Sequence, residues 1–272
     1  MADFKLSVII PTYRPQNYLF ECLTSVINQE IIDTKDYEIL IVLNGPCNPY
    51  KENINFFLSE RENSLNIRLI YTREVGVSNA RNIGIKESTG DFICFIDDDD
   101  LISKSYLWNL LSRAKENEIV AANVLTFTDS ITSTGSDYLG RAYCKCCKKK
   151  SYNIFVFRSF LSTSCAKIIP KKMIADRRFN NKYELSEDSL FMFSISDHLK
   201  KITLTSADCV YYRRVRANSV SRTTRKRYKR VINSLNLAYS YTLIYLKGFY
   251  KYNFFFYVSR LVGLGISIIK NS

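Results

Sequence analysis

The chain has 272 residues, enough for one large domain, or one domain with an appendage, to bury a complete core. Its 39 Lys and Arg residues outnumber its 26 Asp and Glu, and the formal net charge of +13 favours polyanionic or membrane-surface partners. No apolar run approaches the ~20 residues that span a bilayer, which argues against a transmembrane helix. Met1 leads directly into a strand-like segment without a secretory signal, so the sequence predicts a cytoplasmic protein.

The first 125 residues alternate short β-branched runs with helical patterns, which predicts a mainly parallel sheet with helices on both faces. Between the first two strands, apolar residues recur at i, i+3, i+4 and i+7 from Leu19 to Val26. This spacing predicts a helix with one buried face. The predicted strands cover residues 6–10, 38–43, 67–71, 92–96 and 119–125.

The second half of the chain is less regular. Residues 127–152 show no period and are rich in Ser, Thr, Gly and Lys, which predicts a mobile loop. Beyond this loop we predict a helix over 187–199 and strands over 165–169 and 202–212.

The composition shifts again from residue 226 onward. Tyr and Phe crowd the stretch 239–257, and the apolar stretch 258–269 that follows is interrupted by Arg260. Aromatic and basic residues interleaved on helical segments predict an interfacial anchor, with Tyr and Lys at the depth of lipid headgroups. The alternative is that this segment packs on the rest of the chain or on another subunit.

Seven of the eight cysteines fall into two settings. In strand-like or helix-like apolar surroundings a cysteine acts as a small hydrophobe, and we expect these to be reduced: Cys22, Cys94, Cys165 and Cys209. A denser group consists of Cys144, Cys146 and Cys147. Three thiols can contribute to a zinc site, but this group lacks an obvious fourth ligand and the usual Cys-x-x-Cys spacing, which disfavours zinc.

Four consecutive aspartates, Asp97 to Asp100, follow the apolar segment 90–96. Like charges this close repel each other, and each loses water unless a cation compensates. Mg²⁺ and Mn²⁺ prefer oxygen ligands, commonly one or two carboxylates with the phosphate oxygens of a substrate. The alternative is a solvated acidic loop that caps a helix beginning near Ser103.

Two further blocks accompany the aspartates. Residues 6–13 read Leu-Ser-Val-Ile-Ile-Pro-Thr-Tyr, and residues 74–82 read Glu-Val-Gly-Val-Ser-Asn-Ala-Arg-Asn. In this order and at these intervals, the blocks resemble the family 2 glycosyltransferases, closely over residues 4–125 and more loosely over 160–222. The resemblance implies an α/β GT-A fold, with a Rossmann-like, mainly parallel sheet flanked by helices. It also implies transfer of a hexose or N-acetylhexosamine from a nucleotide diphosphate-sugar, with inversion at the anomeric carbon.

The resemblance also implies an organisation along the chain. Residues 1–225 would form the catalytic domain, with a nucleotide-binding half over 1–125 and an acceptor half over 126–225. Residues 226–272 would form the helical, aromatic-rich C-terminal segment.

The same resemblance assigns roles to individual residues. Direct binding of Mn²⁺ or Mg²⁺ falls to Asp99, and Asp100 is interpreted as structural. Asn44 departs from the family, because an aspartate commonly accepts the uracil N3–H there; the amide oxygen of asparagine can accept the same proton. The residues assigned to nucleotide binding are Pro11, Thr12, Tyr13, Asn44, Asn79, Arg81, Asp97, Asp98, Arg213, Arg216 and Ser219.

An inverting transfer needs one base to take the proton from the acceptor hydroxyl. Glu187 and Asp188 precede a Phe-rich helix and resemble the family's Glu-Asp block, in which the aspartate is the base. The alternative is an ordinary pair of helix-initiating acids after Ser186 as N-cap. His198 is assigned no chemistry.

Three classes of function share some of these sequence features. The favoured one is a glycosyltransferase of surface polysaccharide biosynthesis, acting on a glycan or lipid-linked acceptor and peripheral to the anionic inner face of the cell membrane. A sugar nucleotidyltransferase would need a Gly-rich, Arg-containing loop after the first strand, and Pro-Thr-Tyr-Arg-Pro-Gln is not one. A basic nucleic-acid-binding protein would show strongly salt-dependent affinity, whereas the favoured function expects no nucleic acid partner.

Overall fold

A seven-stranded sheet organises this computed structural model, which describes residues 5–61, 66–149, 158–216 and 227–270. The strands of the described residues are β1 (Leu6–Thr12), β2 (Tyr37–Asn44), β3 (Ile67–Thr72), β4 (Phe92–Phe95), β5 (Leu101–Ile102), β6 (Glu118–Ala121), β7 (Asn123–Phe127), β8 (Lys167–Pro170), β9 (Lys201–Leu204) and β10 (Val210–Arg214). The helices are α1 (Asn17–Ile27), α2 (Tyr50–Ser59), α3 (Val77–Glu87), α4 (Tyr106–Leu111), α5 (Tyr138–Lys149), α6 (Lys171–Ile174), α7 (Glu187–Ser194), α8 (Arg227–Lys247) and α9 (Phe254–Lys270). Short 3₁₀ helices cover Phe160–Ser162 and Ser196–His198.

The large sheet has the order β3-β2-β1-β4-β8-β6-β9. The pairs β3–β2, β2–β1, β1–β4 and β6–β9 are parallel, and only β8 runs against its neighbours. Every residue of β1 and β2 is buried, as expected for parallel strands covered by helices on both faces. The predicted mainly parallel α/β fold is therefore confirmed.

Two of the strand predictions are wrong, because each covers two strands of the structure. The chain predicted as one strand over 119–125 divides into β6 and β7, and the one predicted over 202–212 divides into β9 and β10. β6 pairs with β9 in the large sheet, while β7 and β10 pair in a second sheet of order β5-β10-β7. Both segments pass from the large sheet into the second sheet. Because the apolar residues continue across the point where each strand is interrupted, the sequence pattern does not reveal the interruption.

The mobile loop predicted over 127–152 is also wrong in part, because α5 occupies its second half. Asp137 begins this helix: its Oδ1 accepts hydrogen bonds from the backbone N–H groups of Leu139 at 2.8 Å and Gly140 at 3.1 Å. The buried face has the helical spacing i, i+3, i+4 and i+7, which the many Lys and Cys residues conceal: it consists of Leu139, Ala142, Tyr143 and Cys146.

The cysteines follow the sequence reading. All eight are free thiols, and Cys22, Cys94, Cys165 and Cys209 are buried as small apolar side chains. In the second group Cys146 is buried, whereas Cys144 and Cys147 are exposed. Among the described residues no three His, Cys, Asp or Glu side chains are grouped to hold a metal, so the zinc hypothesis gains no support.

The C-terminal segment is helical and aromatic-rich, as predicted. One face of α8 and α9 packs on α7, where the ring of Phe193 contacts Tyr241, Tyr252, Phe256 and Tyr257. Of the helices in the described ranges, none has both the length and the hydropathy to cross a bilayer. The packing alternative is thus correct for one face of the segment.

Candidate active site

The carboxyl ends of β1, β2 and β4 open onto a cavity of about 1020 Å³. Open α/β sheets bind their ligands at this edge. The second sheet, α7 and α9 contribute the other walls. The cavity is lined by most of the predicted site residues: Pro11, Thr12, Tyr13, Asn44, Arg81, Asp97, Asp98, Asp99, Glu187, Asp188, Arg213 and Arg216.

One predicted residue of the described ranges is not brought into this cavity. Asn79 lies in the first turn of α3, and its side-chain amide donates a hydrogen bond to the carbonyl oxygen of Glu74 at 3.4 Å. It is absent from the described residues of the cavity wall. Ser219 lies outside the described residues. A nucleotide contact by either residue stays a prediction.

Arg81 connects the two halves of the site. Its guanidinium is 3% exposed; Nη2 donates to Asp97 Oδ1 at 2.9 Å, and Nη1 donates to Asp188 Oδ1 at 2.7 Å and to Glu187 Oε1 at 3.4 Å. Burial lowers the pKa of Arg81, but the neighbouring carboxylates outweigh it and raise that pKa well above its usual value. Arg81 is therefore a buried cation paired with three carboxylates.

Glu187 shares this cation with Asp188. Burial, followed by the negative charge of Asp188, raises the pKa of Glu187 to about 7, while Arg81 acts in the opposite direction. Ser186 makes no side-chain hydrogen bond to cap α7, and its φ of 66° is left-handed. The two acids therefore belong to the Arg81 cluster and are not simply helix-initiating residues.

Asp188 is held by a second group of donors that the sequence reading missed. Ser164 Oγ donates to Asp188 Oδ1 at 3.0 Å, while Oδ2 accepts longer bonds from the backbone N–H of Ser164 at 3.3 Å and from Thr163 Oγ1 at 3.4 Å. The buried Lys167 ammonium donates to the carbonyl oxygen of Thr163 at 2.6 Å and so fixes this segment. Burial lowers the pKa of Lys167 to about 8. In the sequence, the sign that could have pointed to this segment was a lysine within the predicted strand 165–169.

The aspartate run faces several donors. Thr12 Oγ1 donates to Asp98 Oδ2 at 2.6 Å, and Arg216 Nε approaches Asp99 Oδ2 at 2.6 Å. Burial, with added repulsion from the neighbouring aspartates, raises the pKa of Asp98 to about 7. Asp100 is buried and accepts a hydrogen bond from the backbone N–H of Arg214 at 2.8 Å. The Asp99 side chain is 13% exposed and Asp100 is buried, whereas the Asp97 side chain is 41% exposed, so the run is only partly solvated.

A divalent cation fits this donor set. Asp98 and Asp99 would supply oxygen ligands. Burial, with repulsion between neighbouring aspartates, raises the pKa of both carboxyl groups, so a bound cation would favour their charged forms. The described residues contain no complete cage of three or more protein ligands. Mg²⁺ is typically bound in this way, by one or two carboxylates while substrate phosphates and water fill the remaining positions.

Asn44, at the end of β2, is hydrogen-bonded to the end of β1 and to the residue that precedes α3. Its Nδ2 donates to the carbonyl oxygen of Thr12 at 2.7 Å, and its Oδ1 accepts from the backbone N–H of Gly76 at 2.9 Å. The side chain is 2% exposed. The amide oxygen keeps one lone pair for a further donor, so base recognition by Asn44 stays a prediction.

Residues from the second sheet and α9 form the wall nearest α7. Arg213 Nη1 donates to Asp137 Oδ2 at 2.7 Å, and Tyr138 follows at the start of α5. The C-terminal helix adds Gly263, Leu264 and Ser267 to the same wall. The division of the chain at residue 225 stays a prediction, but α9 takes part in shaping this cavity.

Comparison with known proteins gives several relatives. GlyA of Streptococcus pneumoniae, named a glycosyltransferase, is 30% identical over 167 residues, covering 60% of this chain and 22% of GlyA. The minor teichoic acid biosynthesis protein GgaB of Bacillus subtilis is 29% identical and covers 89% of this chain and 26% of GgaB. The chain thus spans about a quarter of the length of these relatives. TarP of Staphylococcus aureus, named a poly(ribitol-phosphate) beta-N-acetylglucosaminyltransferase, is 27% identical, covering 91% of this chain and 74% of TarP.

Solved structures show the same fold. S. aureus TarS residues 1–349, in complex with UDP-GlcNAc, matches with a TM-score of 0.69 at 20% identity, covering 88% of this chain and 66% of that one. The mannosyltransferase PcManGT from Pyrobaculum calidifontis, in complex with GDP-Man and Mn²⁺, matches with a TM-score of 0.58 at 15% identity, covering 88% and 63%.

The family comparison agrees with these matches. The family model described as glycosyl transferase family 2 matches residues 7–173, more than half of the chain. This match favours the predicted glycosyltransferase over a nucleotidyltransferase or a nucleic-acid-binding protein. With its GT-A fold, the chain belongs to glycosyl transferase family 2.

Proposed function

We propose that this chain is a metal-dependent, inverting glycosyltransferase that moves a sugar from a nucleotide diphosphate-sugar to a hydroxyl of a surface polysaccharide acceptor. The observation that carries this proposal is the cluster around Arg81. It places the carboxylates of the aspartate run and of α7 on one guanidinium, with Asp97 on one side and Asp188 on the other. A donor bound at the first set would therefore have a base within reach of the second.

The donor end would lie between β1 and the aspartate run. Thr12 ends β1 and Tyr13 follows it, and Asp98 and Asp99 follow β4, so nucleotide and diphosphate can occupy one trough. Asp98 and Asp99 would hold Mn²⁺ or Mg²⁺, which supplies charge neutralisation of the diphosphate leaving group. Arg216 would exchange its contact with Asp99 for one with a phosphate oxygen.

The reaction would be a single displacement. The acceptor oxygen forms a bond to the anomeric carbon, the bond from that carbon to the diphosphate oxygen breaks, and the nucleoside diphosphate leaves. Asp188 takes the hydroxyl proton, and Oδ2 is the freer oxygen because its two contacts are longer than those of Oδ1. Arg81 and Ser164 keep the carboxylate facing the cavity.

The relatives favour a UDP-sugar donor and an acceptor of the teichoic acid class. TarS is described with UDP-GlcNAc, and TarP and GgaB are named for poly(ribitol-phosphate) and teichoic acid. We therefore infer transfer of a hexose or N-acetylhexosamine from UDP to a glycan or a lipid-linked glycan.

We also propose that the enzyme works on the anionic inner face of the cell membrane. Exposed apolar side chains form a stripe along α8 at helical spacing: Tyr228, Ile232, Leu235, Tyr239, Leu243 and Leu246. Exposed lysines accompany it at Lys229, Lys247 and Lys251. On α9, exposed Val262 and Ile266 adjoin the residues that line the cavity. A lipid-linked acceptor could reach the site from this face.

Loss of the metal ligand should separate nucleotide binding from folding. With Mn²⁺ and UDP at about a hundred times the dissociation constant, we expect the parent protein to gain ~2–3 kcal/mol in unfolding free energy. Asp99→Asn should abolish most of this gain, while the unliganded protein stays folded. Thermal shift and calorimetry measure both quantities. Asp91→Asn removes an exposed carboxylate after α3 and is the matched control. Equal stabilisation of Asp99→Asn and parent would remove the metal assignment.

Loss of the base should reduce turnover and spare donor binding. Asp188→Asn is nearly isosteric and should lower the rate of sugar transfer by about 10²–10⁴, the usual contribution of a positioned base. Affinity for UDP with Mn²⁺ should stay at the parent value. Glu187→Gln should cost less, because neighbouring side chains on a helix point about 100° apart. A fully active Asp188→Asn variant would show that another group takes the proton.

The exposed stripe of α8 provides a membrane test. Replacing Leu235, Tyr239 and Leu246 by Gln should reduce flotation with vesicles of phosphatidylglycerol and phosphatidylcholine, because apolar contact area with the bilayer is lost. The matched control replaces three exposed apolar residues of the nucleotide-binding half and the following loop: Ile31, Phe56 and Ile131. Equal flotation of both variants would contradict the proposal. A changed sedimentation mass with unchanged flotation would instead assign the stripe to contacts between copies.

A further inference from the structure

Two arginines lie together at the end of the cavity formed by α9 and the 3₁₀ helix Phe160–Ser162. Arg260 is 4% exposed; its Nη2 donates to the carbonyl oxygen of Leu161 at 2.6 Å, and its Nη1 donates to Ser162 Oγ at 2.9 Å. Arg158 precedes the 3₁₀ helix and lines the same wall. The Nε atoms of both arginines are buried without a hydrogen-bond partner.

The described structure shows no carboxylate bound to either guanidinium. Of the neighbouring acids, Asp137 is paired with Arg213 at 2.7 Å, and Asp188 is paired with Arg81 at 2.7 Å. Glu184 also lines the cavity and makes an interaction of its own. Burial, with repulsion from Arg158, lowers the pKa of Arg260 to about 10, and only the tyrosines Tyr241 and Tyr138 act against it.

An arginine stays charged in a protein, so this pair cannot avoid its repulsion by losing a proton. A buried cation without a counter-ion is costly, and the usual compensation is an anion that both guanidiniums can contact. The surface of α9 leaves space for the Arg158 guanidinium. A Cβ at residue 263 would overlap the Arg158 guanidinium, so glycine allows this side chain to lie against α9.

The pair lies on the acceptor side of the candidate base. Arg260 donates to Ser162 Oγ at 2.9 Å, and the next two residues, Thr163 and Ser164, donate hydrogen bonds to Asp188, so the pair lies beside the segment that holds the candidate base. The proposed donor diphosphate would have separate partners, a cation held by the aspartate run and Arg216, which lies at 2.6 Å from Asp99. An anion at Arg158 and Arg260 would therefore be a group of the acceptor.

We propose that Arg158 and Arg260 bind a phosphate group carried by the acceptor and thereby place a neighbouring hydroxyl at Asp188. This inference rests on the proposed glycosyl transfer. Guanidinium groups suit phosphate because their planar donor forks match two phosphate oxygens, and a desolvated site strengthens each charge-assisted hydrogen bond. The phosphate can belong to a soluble phosphodiester polymer or to a lipid-linked acceptor.

The test uses glycerol 3-phosphate as the probe, with the full chain held in saturating UDP and Mg²⁺. Calorimetric or NMR titration should show binding to the parent protein, and no binding of glycerol or glucuronate at the same concentrations. Arg158→Gln should weaken glycerol 3-phosphate binding about tenfold or more, the expected loss for a charge-assisted bond. Gly263→Ala should weaken it too, because it displaces the guanidinium and keeps the charge.

Arg178→Gln is the matched control, because it removes one positive charge from an exposed arginine that is not among the described residues of the cavity wall, and it should bind like the parent. Parent-like binding by Arg158→Gln, or equal binding of glucuronate, would overturn the phosphate site. UDP affinity, measured in the same samples, separates the phosphate-site hypothesis from the proposed glycosyl transfer. Failure to bind UDP would contradict the proposed transfer, whereas the glycerol 3-phosphate result would still test the phosphate site. Displacement of the probe by phosphatidylglycerol vesicles would assign the phosphate to a lipid, and lack of displacement would assign it to a soluble polymer.

Discussion

The site depends on one buried ion cluster, in which the guanidinium of Arg81 joins carboxylates from two distant parts of the chain. Asp97 follows β4, and Glu187 and Asp188 begin α7, so their mutual repulsion would separate the two walls of the cavity. A buried ion pair contributes little net stability after desolvation, but removing one partner leaves uncompensated charge and is strongly destabilising. The cluster therefore fixes the relative position of the aspartate run and the acids of α7 more than it stabilises the fold.

The second sheet completes this arrangement. Because β6 and β9 continue together into β7 and β10, the chain leaves the large sheet and brings Arg214 beside the aspartate run. The backbone N–H of Arg214 binds buried Asp100 at 2.8 Å, and its Nε donates to the carbonyl oxygen of Asp99 at 2.8 Å. The sheet switch thus supplies positive charge and hydrogen-bond donors where four aspartates would otherwise repel each other.

Much of the fold and part of the site could be predicted from sequence, for a physical reason. Buried parallel strands and the residues at their ends leave a local pattern, so β1 to β4, the aspartate run and the acids of α7 were recognisable. Contacts that depend on the tertiary arrangement leave no such pattern. Ser164 and Arg214 became visible only in the structure, and Lys167 stood out only as a lysine within a predicted strand. The local pattern also did not show that Arg81 joins the two groups of acids. The sheet switch was hidden because apolar residues continue across it.

The central claim is that one carboxylate, held by Arg81, acts once in a single displacement. The most direct measurement is the anomeric configuration of the product formed from an α-linked UDP-sugar, followed by ¹H NMR before mutarotation or further turnover. The donor should be the UDP-sugar that stabilises the protein most in the presence of Mn²⁺. A β-linked product is the result expected from inversion at the anomeric carbon, and an α-linked product would contradict the mechanism.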